Sequence, residues 1–69
     1  MHNSSQLHTK RMVIYPKDVV TITGRSLRTA QRILQQIRQK IGKAKHDFVT
    51  LQEFAQHTGF SETEIIKRL

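Results

Sequence analysis

The fold of this chain is decided by one stretch, residues 16–41, which reads PKDVVTITGRSLRTAQRILQQIRQKI. Pro16 suits the first position of a helix, where a missing N–H costs nothing, and Gly24 is a good helix stop. Ser26 is a strong N-cap, and no helix breaker follows it before Gly42. The stretch therefore predicts a short helix from Pro16 through residues 17–23, a glycine turn, and a long helix from Ser26 to Lys40.

The long helix is amphipathic. Its apolar side chains recur at spacings of three and four residues and cover a stripe about 120° wide; they are Leu27, Ala30, Ile33, Leu34, Ile37 and Ile41. We expect this stripe to be core, with a dimer seam as the alternative. The opposite face is polar and consists of Arg28, Arg32, Gln35, Gln36 and Gln39.

The charge of the chain is strongly one-sided. Residues 1–45 hold ten Lys or Arg and one acid, whereas residues 46–69 hold two basic residues and four acids. Seven basic residues and no acid lie between Gly24 and Lys45. A solvated helix commonly alternates charge signs, so a basic segment without acids indicates a polyanionic partner. Nucleic acid is the first candidate, because its phosphates reward clustered cations, and an anionic membrane surface is the second.

The flanking segments complete the domain organisation. We expect residues 1–11 to form a disordered arm and residues 12–15 to be an extended lead-in or a short edge strand. Residues 42–48 are a basic connection, either a plain loop or a tight hairpin. Thr50 with Glu53, and Ser61 with Glu64, have the spacing of capping boxes and predict helices ending near Thr58 and Leu69.

The expected fold is all-α: a single domain over residues 12–69 with about four helices and, as an option, a small β-hairpin between residues 43 and 49. Within it, residues 16–41 form one helical pair and residues 49–69 the second. The two pairs are related by a constant offset of 35 residues, at which Thr23, Gly24, Ser26 and Leu34 match Thr58, Gly59, Ser61 and Leu69. Both halves predict a short helix, a glycine turn, a serine cap and a second helix.

Composition argues against several function classes. A chain of 69 residues has little core to spare for a catalytic cleft, so we do not expect an enzyme. The chain lacks cysteine, and its four histidines share no metal-ligand spacing, so we expect no metal and no cofactor. No apolar window has the length of a membrane span or resembles a signal peptide, which favours a soluble cytoplasmic protein without a membrane partner.

The stretch PKDVVTITGRSLRTAQRIL, residues 16–34, resembles the DNA-binding helix-turn-helix, especially the small bacterial excisionase-like and MerR-type modules. The resemblance implies that Val19 and Val20 face inward and that Gly24 is the turn. It also implies that Ser26, Arg28, Thr29 and Arg32 form the exposed start of a recognition helix. The implied role is a transcriptional regulator, or an accessory factor of a mobile element that bends or marks DNA without cutting it.

The chemistry of the residues leads to the same candidate site. Arg28, Arg32, Gln35 and Gln36 can reach base edges, since Arg and Gln make bidentate contacts with guanine and adenine. Arg25, Ser26, Thr29, Lys43 and Lys45 can contact phosphate. The second helical pair places Glu62 and Glu64 where phosphates would repel them, so we assign it to packing or dimer contact.

Two other classes remain open from sequence. One is a basic RNA-binding or ribosome-associated protein, and the other is a protein-interaction module that docks a partner helix on the stripe from Leu27 to Ile41. A homodimer is a further expectation, because symmetric half-sites multiply the affinity of a small interface. No small-molecule ligand is evident. We expect Phe48, Phe54 and Phe60 to be core rather than base-stacking platforms.

Overall fold

The computed structural model describes residues 12–69, which form four helices and a two-stranded sheet. In chain order these elements are β1 (Val13–Ile14), α1 (Pro16–Thr23), α2 (Leu27–Ile41), β2 (Val49–Thr50), α3 (Leu51–Thr58) and α4 (Glu62–Arg68). The expectation of a mostly helical fold with four helices is confirmed. The expected N-terminal arm, residues 1–11, lies outside the described residues.

Local signals place the bounds of the first two helices. The Asp18 carboxylate accepts a hydrogen bond from the Tyr15 backbone N–H at 2.8 Å and closes the start of α1. Gly24 ends that helix at φ 73°, in the left-handed region that glycine enters without steric cost. Ser26 caps α2 by accepting a hydrogen bond from the Thr29 N–H at 3.2 Å. The helices predicted from residues 16–41 are therefore confirmed within one residue at either end.

The sheet joins segments that are distant in sequence. β1 and β2 pair antiparallel, with Val13 opposite Thr50 and Ile14 opposite Val49. The edge strand expected within residues 12–15 is thus confirmed. Residues 43–48 contain no strand, and a turn from Ala44 to Asp47 connects the two halves instead, with the Asp47 carboxylate accepting from the Ala44 N–H at 3.0 Å. The hairpin alternative was wrong, because Val49 is buried opposite Ile14 rather than paired within the basic connection.

The core lies between the helices and the inner side of the sheet. Ten apolar residues of the described chain are buried: Ile14, Val19, Ile22, Ala30, Leu34, Ile37, Val49, Leu51, Phe54 and Ile65. The stripe on α2 is therefore core, as expected. Leu27 is an exception at 52% exposure, because it is the first residue of α2 and lies at the edge of the stripe.

Phe48 was also misplaced by the sequence interpretation. Its side chain is 60% exposed, while the next residue, Val49, is fully buried. Neighbouring side chains of an extended segment point to opposite sides, so burying Val49 turns Phe48 outward. Phe48 instead contacts the exposed ring of Tyr15 edge to face, with ring centroids 6.1 Å apart.

The two capping boxes of the second half have different outcomes. Thr50 and Glu53 form both reciprocal bonds, at 3.1 Å and 3.0 Å. Ser61 Oγ accepts from the Glu64 N–H at 3.0 Å, but the Glu64 carboxylate lies 3.5 Å from the Arg68 guanidinium. The second capping box is therefore only half formed, because Arg68, one turn further along α4, competes for the carboxylate.

The similarity at an offset of 35 residues is a structural repeat. Ile14 and Val49, which correspond at this offset, pair directly in the sheet. The chain thus contains two β-α-α units, and helix α1 of the first packs against α4 of the second, while α2 packs against α3. Even the turns match: Thr23 donates to the Val19 carbonyl at 2.7 Å, and Thr58 donates to the Phe54 carbonyl at 2.8 Å.

Candidate nucleic-acid interface

The outward side of α2 is a basic surface that carries no acidic residue. Arg28, Arg32, Gln36 and Gln39 are exposed there, on the side opposite the buried Leu34. Arg25 and Ser26, just before the helix, are exposed as well, and Thr29 is half-buried. The structure thus brings together most of the predicted site residues on one side of a single helix.

The arginines of this surface have no acidic neighbour bound to them. Among residues 12–69 the ion pairs are Lys43 with Glu53 and Arg68 with Glu64, and neither includes a residue of α2. No side-chain hydrogen bond within the described residues involves the guanidinium of Arg25, Arg28 or Arg32. These three cations are therefore free to pair with an external anion.

Gln35 lies on the flank of this surface rather than at its centre. It is half-buried, and its side-chain oxygen accepts a hydrogen bond from Arg38 at 3.2 Å. Arg38 in turn donates through Nε to the Asp47 carbonyl at 2.6 Å. The hydrogen bond between Arg38 and Asp47 fixes the connection at residues 42–48 against the C-terminal half of α2. The bond to Arg38 occupies the side-chain oxygen of Gln35 and leaves its amide nitrogen for an external acceptor.

Lys43 does not lie with the exposed basic residues on the outward side of α2. Its ammonium donates to the Glu53 carboxylate and to the Phe48 carbonyl, each at 2.8 Å, and its side chain is half-buried. Burial by itself would raise the pKa of Glu53. The carboxylate accepts hydrogen bonds from Lys43 and from the Thr50 backbone N–H, and these outweigh the effect of burial, so the pKa of Glu53 is lowered. The geometry gives Lys43 a structural part in joining the two units. Lys45 remains exposed in the connection.

A groove runs along the other flank of α2, where the second unit faces it. Its first part is an open cleft of about 620 Å³ beside the start of α2, and the lining includes Thr23, Arg25, Arg32, Thr58, Phe60 and Arg68. Its second part, about 500 Å³, continues toward the end of α2 between Gln36, Lys40 and His57. Ile33 lines both parts and gives them a shared apolar wall.

Sequence reasoning missed Arg68. Its guanidinium lies 5.4 Å from the centre of the Phe60 ring and donates to the Ile22 carbonyl of α1 at 3.1 Å. These contacts join residues that are up to 46 positions apart, so no local pattern indicates them. One signal was present in the repeat, because Arg68 corresponds to Ile33, a residue on the flank of α2.

The described residues form neither a metal site nor a membrane-spanning helix. Within residues 12–69, no group of three or more His, Cys, Asp or Glu side chains is placed to hold a metal ion. None of the helices formed by these residues combines the length and the apolar character that a bilayer crossing requires. Comparisons with models of known protein families, with curated proteins and with solved structures found no match to this chain.

Proposed function

We propose that this chain binds double-stranded DNA, with α1, the turn at Gly24 and α2 acting as a helix-turn-helix. The observation that carries the proposal is the outward side of α2, where Arg28 and Arg32 are exposed and unpaired. Fifteen helical residues span about 22 Å and fit a major groove about 12 Å wide. Arg28 and Arg32 then face guanine edges, and Gln36 and Gln39 face adenine edges.

The surroundings of α2 supply contacts that set the position of the helix on the duplex. Arg25, Ser26 and Thr29 cluster at the N-terminus of α2, whose dipole favours a phosphate. At the other end, the connection at residues 42–48 lies against the C-terminal half of α2 and exposes Lys45. We assign this connection, together with the small sheet, the part of a wing that contacts the backbone of the DNA.

In this proposal the protein is not an enzyme but a DNA-binding factor that marks or bends its site. Together with the resemblance of residues 16–34 to excisionase-like and MerR-type modules, this favours a transcriptional regulator or an accessory factor of a mobile element. A second copy of the chain would add a second recognition helix and so raise affinity for a site with two halves.

The test is DNA binding measured by fluorescence anisotropy across a salt series. Wild-type protein and the variant R28A/R32A are titrated into a labelled random-sequence duplex, with an RNA duplex of the same sequence in parallel. The matched control is K17A/K67A, which removes two exposed lysines from α1 and α4 and so makes the same change in net charge.

We expect the logarithm of wild-type affinity to fall against the logarithm of salt concentration with a slope of about −4 to −6, as for roughly five to seven phosphate contacts. R28A/R32A should bind more weakly than K17A/K67A and leave the salt slope close to the wild-type value, because Arg28 and Arg32 face base edges rather than phosphates. Equal loss in the two variants would overturn the assignment of α2. Binding to the RNA duplex as tight as binding to DNA would favour the ribosome-associated class instead.

A further inference from the structure

The cleft between the two units is lined by corresponding residues of both. Thr23 and Thr58 both line it, and so do Arg25 and Phe60, and each of these pairs corresponds at the offset of 35 residues. Residues next to both glycine turns therefore line the same open cleft of about 620 Å³. One wall belongs to the proposed recognition unit and the other to the second unit, which so far has only a packing role.

The chemistry of the cleft is that of an anion site. Three arginines line it, Arg25, Arg32 and Arg68, and none of its lining residues is acidic. Arg68 is held in place by the Ile22 carbonyl at 3.1 Å and by the Phe60 ring, and Glu64 contacts it only at the outer limit, 3.5 Å. A side chain anchored at one edge and one face loses little freedom on binding, so its charge is already positioned for a ligand.

We propose that this cleft binds a phosphodiester of the DNA backbone, and that Arg68 of the second unit acts there together with Arg25. The inference rests on the proposed DNA binding and deepens it. The cleft flanks α2 along Arg25, Arg32 and Gln36, so a recognition helix seated in a major groove carries the cleft against one of the two strands that border the groove. Glu64 limits the affinity, because it partly neutralises Arg68.

The first test removes the Glu64 carboxylate. It predicts tighter binding, which a loss of folding cannot produce. E64Q takes away the carboxylate beside Arg68, while E62Q takes away an acid from the same first turn of α4 without a side-chain hydrogen bond to Arg68. We expect E64Q to bind the random-sequence duplex about fivefold to tenfold more tightly than E62Q at 0.1 M salt, and to steepen the salt slope by up to about one.

A second pair of variants tests the same site by removing a positive charge. R68Q should weaken binding by about the same factor and reduce the slope by about one relative to K67Q, whose lysine is also exposed on α4 but does not line the cleft. Circular dichroism at the assay temperature checks that R68Q is folded. If R68Q is unfolded, the comparison of E64Q with E62Q decides the question alone.

The outcomes separate the two proposals. If R28A/R32A weakens DNA binding more than its control but E64Q equals E62Q, the cleft does not contact the backbone and the second unit only packs. If R28A/R32A has no specific effect, the proposed function itself fails. If inorganic phosphate at low millimolar concentration shifts the NMR signals of Arg25 and Arg68 and its binding to the cleft is unaffected by a DNA duplex, the cleft serves a free phosphate ligand and the proposal is overturned.

Discussion

The basic residues of the described chain are of two kinds, those without an acidic partner and those held in an ion pair. The guanidiniums of Arg28 and Arg32 are exposed and contact no carboxylate of residues 12–69, whereas the ammonium of Lys43 is held by Glu53 at 2.8 Å. Both kinds look alike in the sequence, as basic residues in an acid-free segment. The unpaired arginines can bind a phosphate or a base edge directly. Lys43 would first have to break its ion pair with Glu53.

The pair of Lys43 and Glu53 makes a prediction about stability. Glu53 also completes the cap of α3 by accepting from the Thr50 N–H at 3.0 Å. E53Q keeps the cap, because a glutamine oxygen also accepts there, but it removes the charge that pairs with Lys43. The free energy of unfolding should therefore fall by about 0.5–1 kcal/mol at pH 7, and Tm by roughly 2–8 °C in a domain of this size. Thermal unfolding followed by circular dichroism measures the shift, and E62Q is the control.

The same pair predicts how that difference depends on pH. The pKa of Glu53 is lowered in the folded state, so its stabilisation is present above the ordinary glutamate pKa of 4.5 and is lost as the pH falls through the lower folded value. The Tm difference between wild type and E53Q should therefore shrink between pH 5 and about pH 3. A difference that stays constant over this range would contradict a stabilising role for the charge of Glu53.

At the scale of elements, each unit is a pair of helices joined by a tight glycine turn. Gly24 and Gly59 both end their helices in the left-handed region, at φ 73° and 86°. A Cβ atom at either position would meet no atom within 4 Å. The requirement for glycine is therefore conformational rather than steric, and the two turns should respond in the same way to substitution.

We expect Gly24→Ala and Gly59→Ala each to destabilise the protein by about 1–2 kcal/mol, the cost of a left-handed alanine. Gly24→Asn should cost less, because asparagine tolerates this conformation. Urea denaturation measures the change as a lower midpoint at an unchanged m-value. The control is Gln52→Ala, a substitution at an exposed position of α3. If Gly24→Ala destabilises the protein no more than this control, glycine is not required at the turn.

For the molecule as a whole, the two units share one core. The equivalent residues Ile14 and Val49 meet in the sheet, and both helices of each unit pack against helices of the other unit. Neither half can bury its apolar residues alone. The second unit thus stabilises the position of α2 and, if the cleft binds phosphate, also widens the surface that contacts DNA.

A shared core predicts cooperative unfolding. Ile65 of α4 is fully buried, and Ile65→Ala should cost about 2–5 kcal/mol. Native-state amide exchange should show that α1 and α2 lose protection together with α3 and α4, although the substitution lies in the last helix. Protection that is lost in α3 and α4 alone would mean that the first unit folds independently.

The sequence by itself determined the helices and the basic character of α2. Pro16, Gly24, Ser26 and Gly42 mark the bounds of α1 and α2 through interactions with residues at most four positions away, so these bounds could be predicted without a fold. The acid-free face of α2 follows from helical spacing alone. The apolar stripe also predicted its burial, except at Leu27, where the end of the helix lies at the edge of the core.

Only the tertiary structure decided which distant residues meet. The pairing of β1 with β2, the neutralisation of Lys43 by Glu53 and the placement of Arg68 beside Arg25 all depend on how the two units pack. The outward position of Phe48 follows from that packing as well, since it is the burial of Val49 against Ile14 that orients the segment. Local propensity carries no information about such contacts, because their energy comes from surfaces that are brought together only when the whole chain is folded.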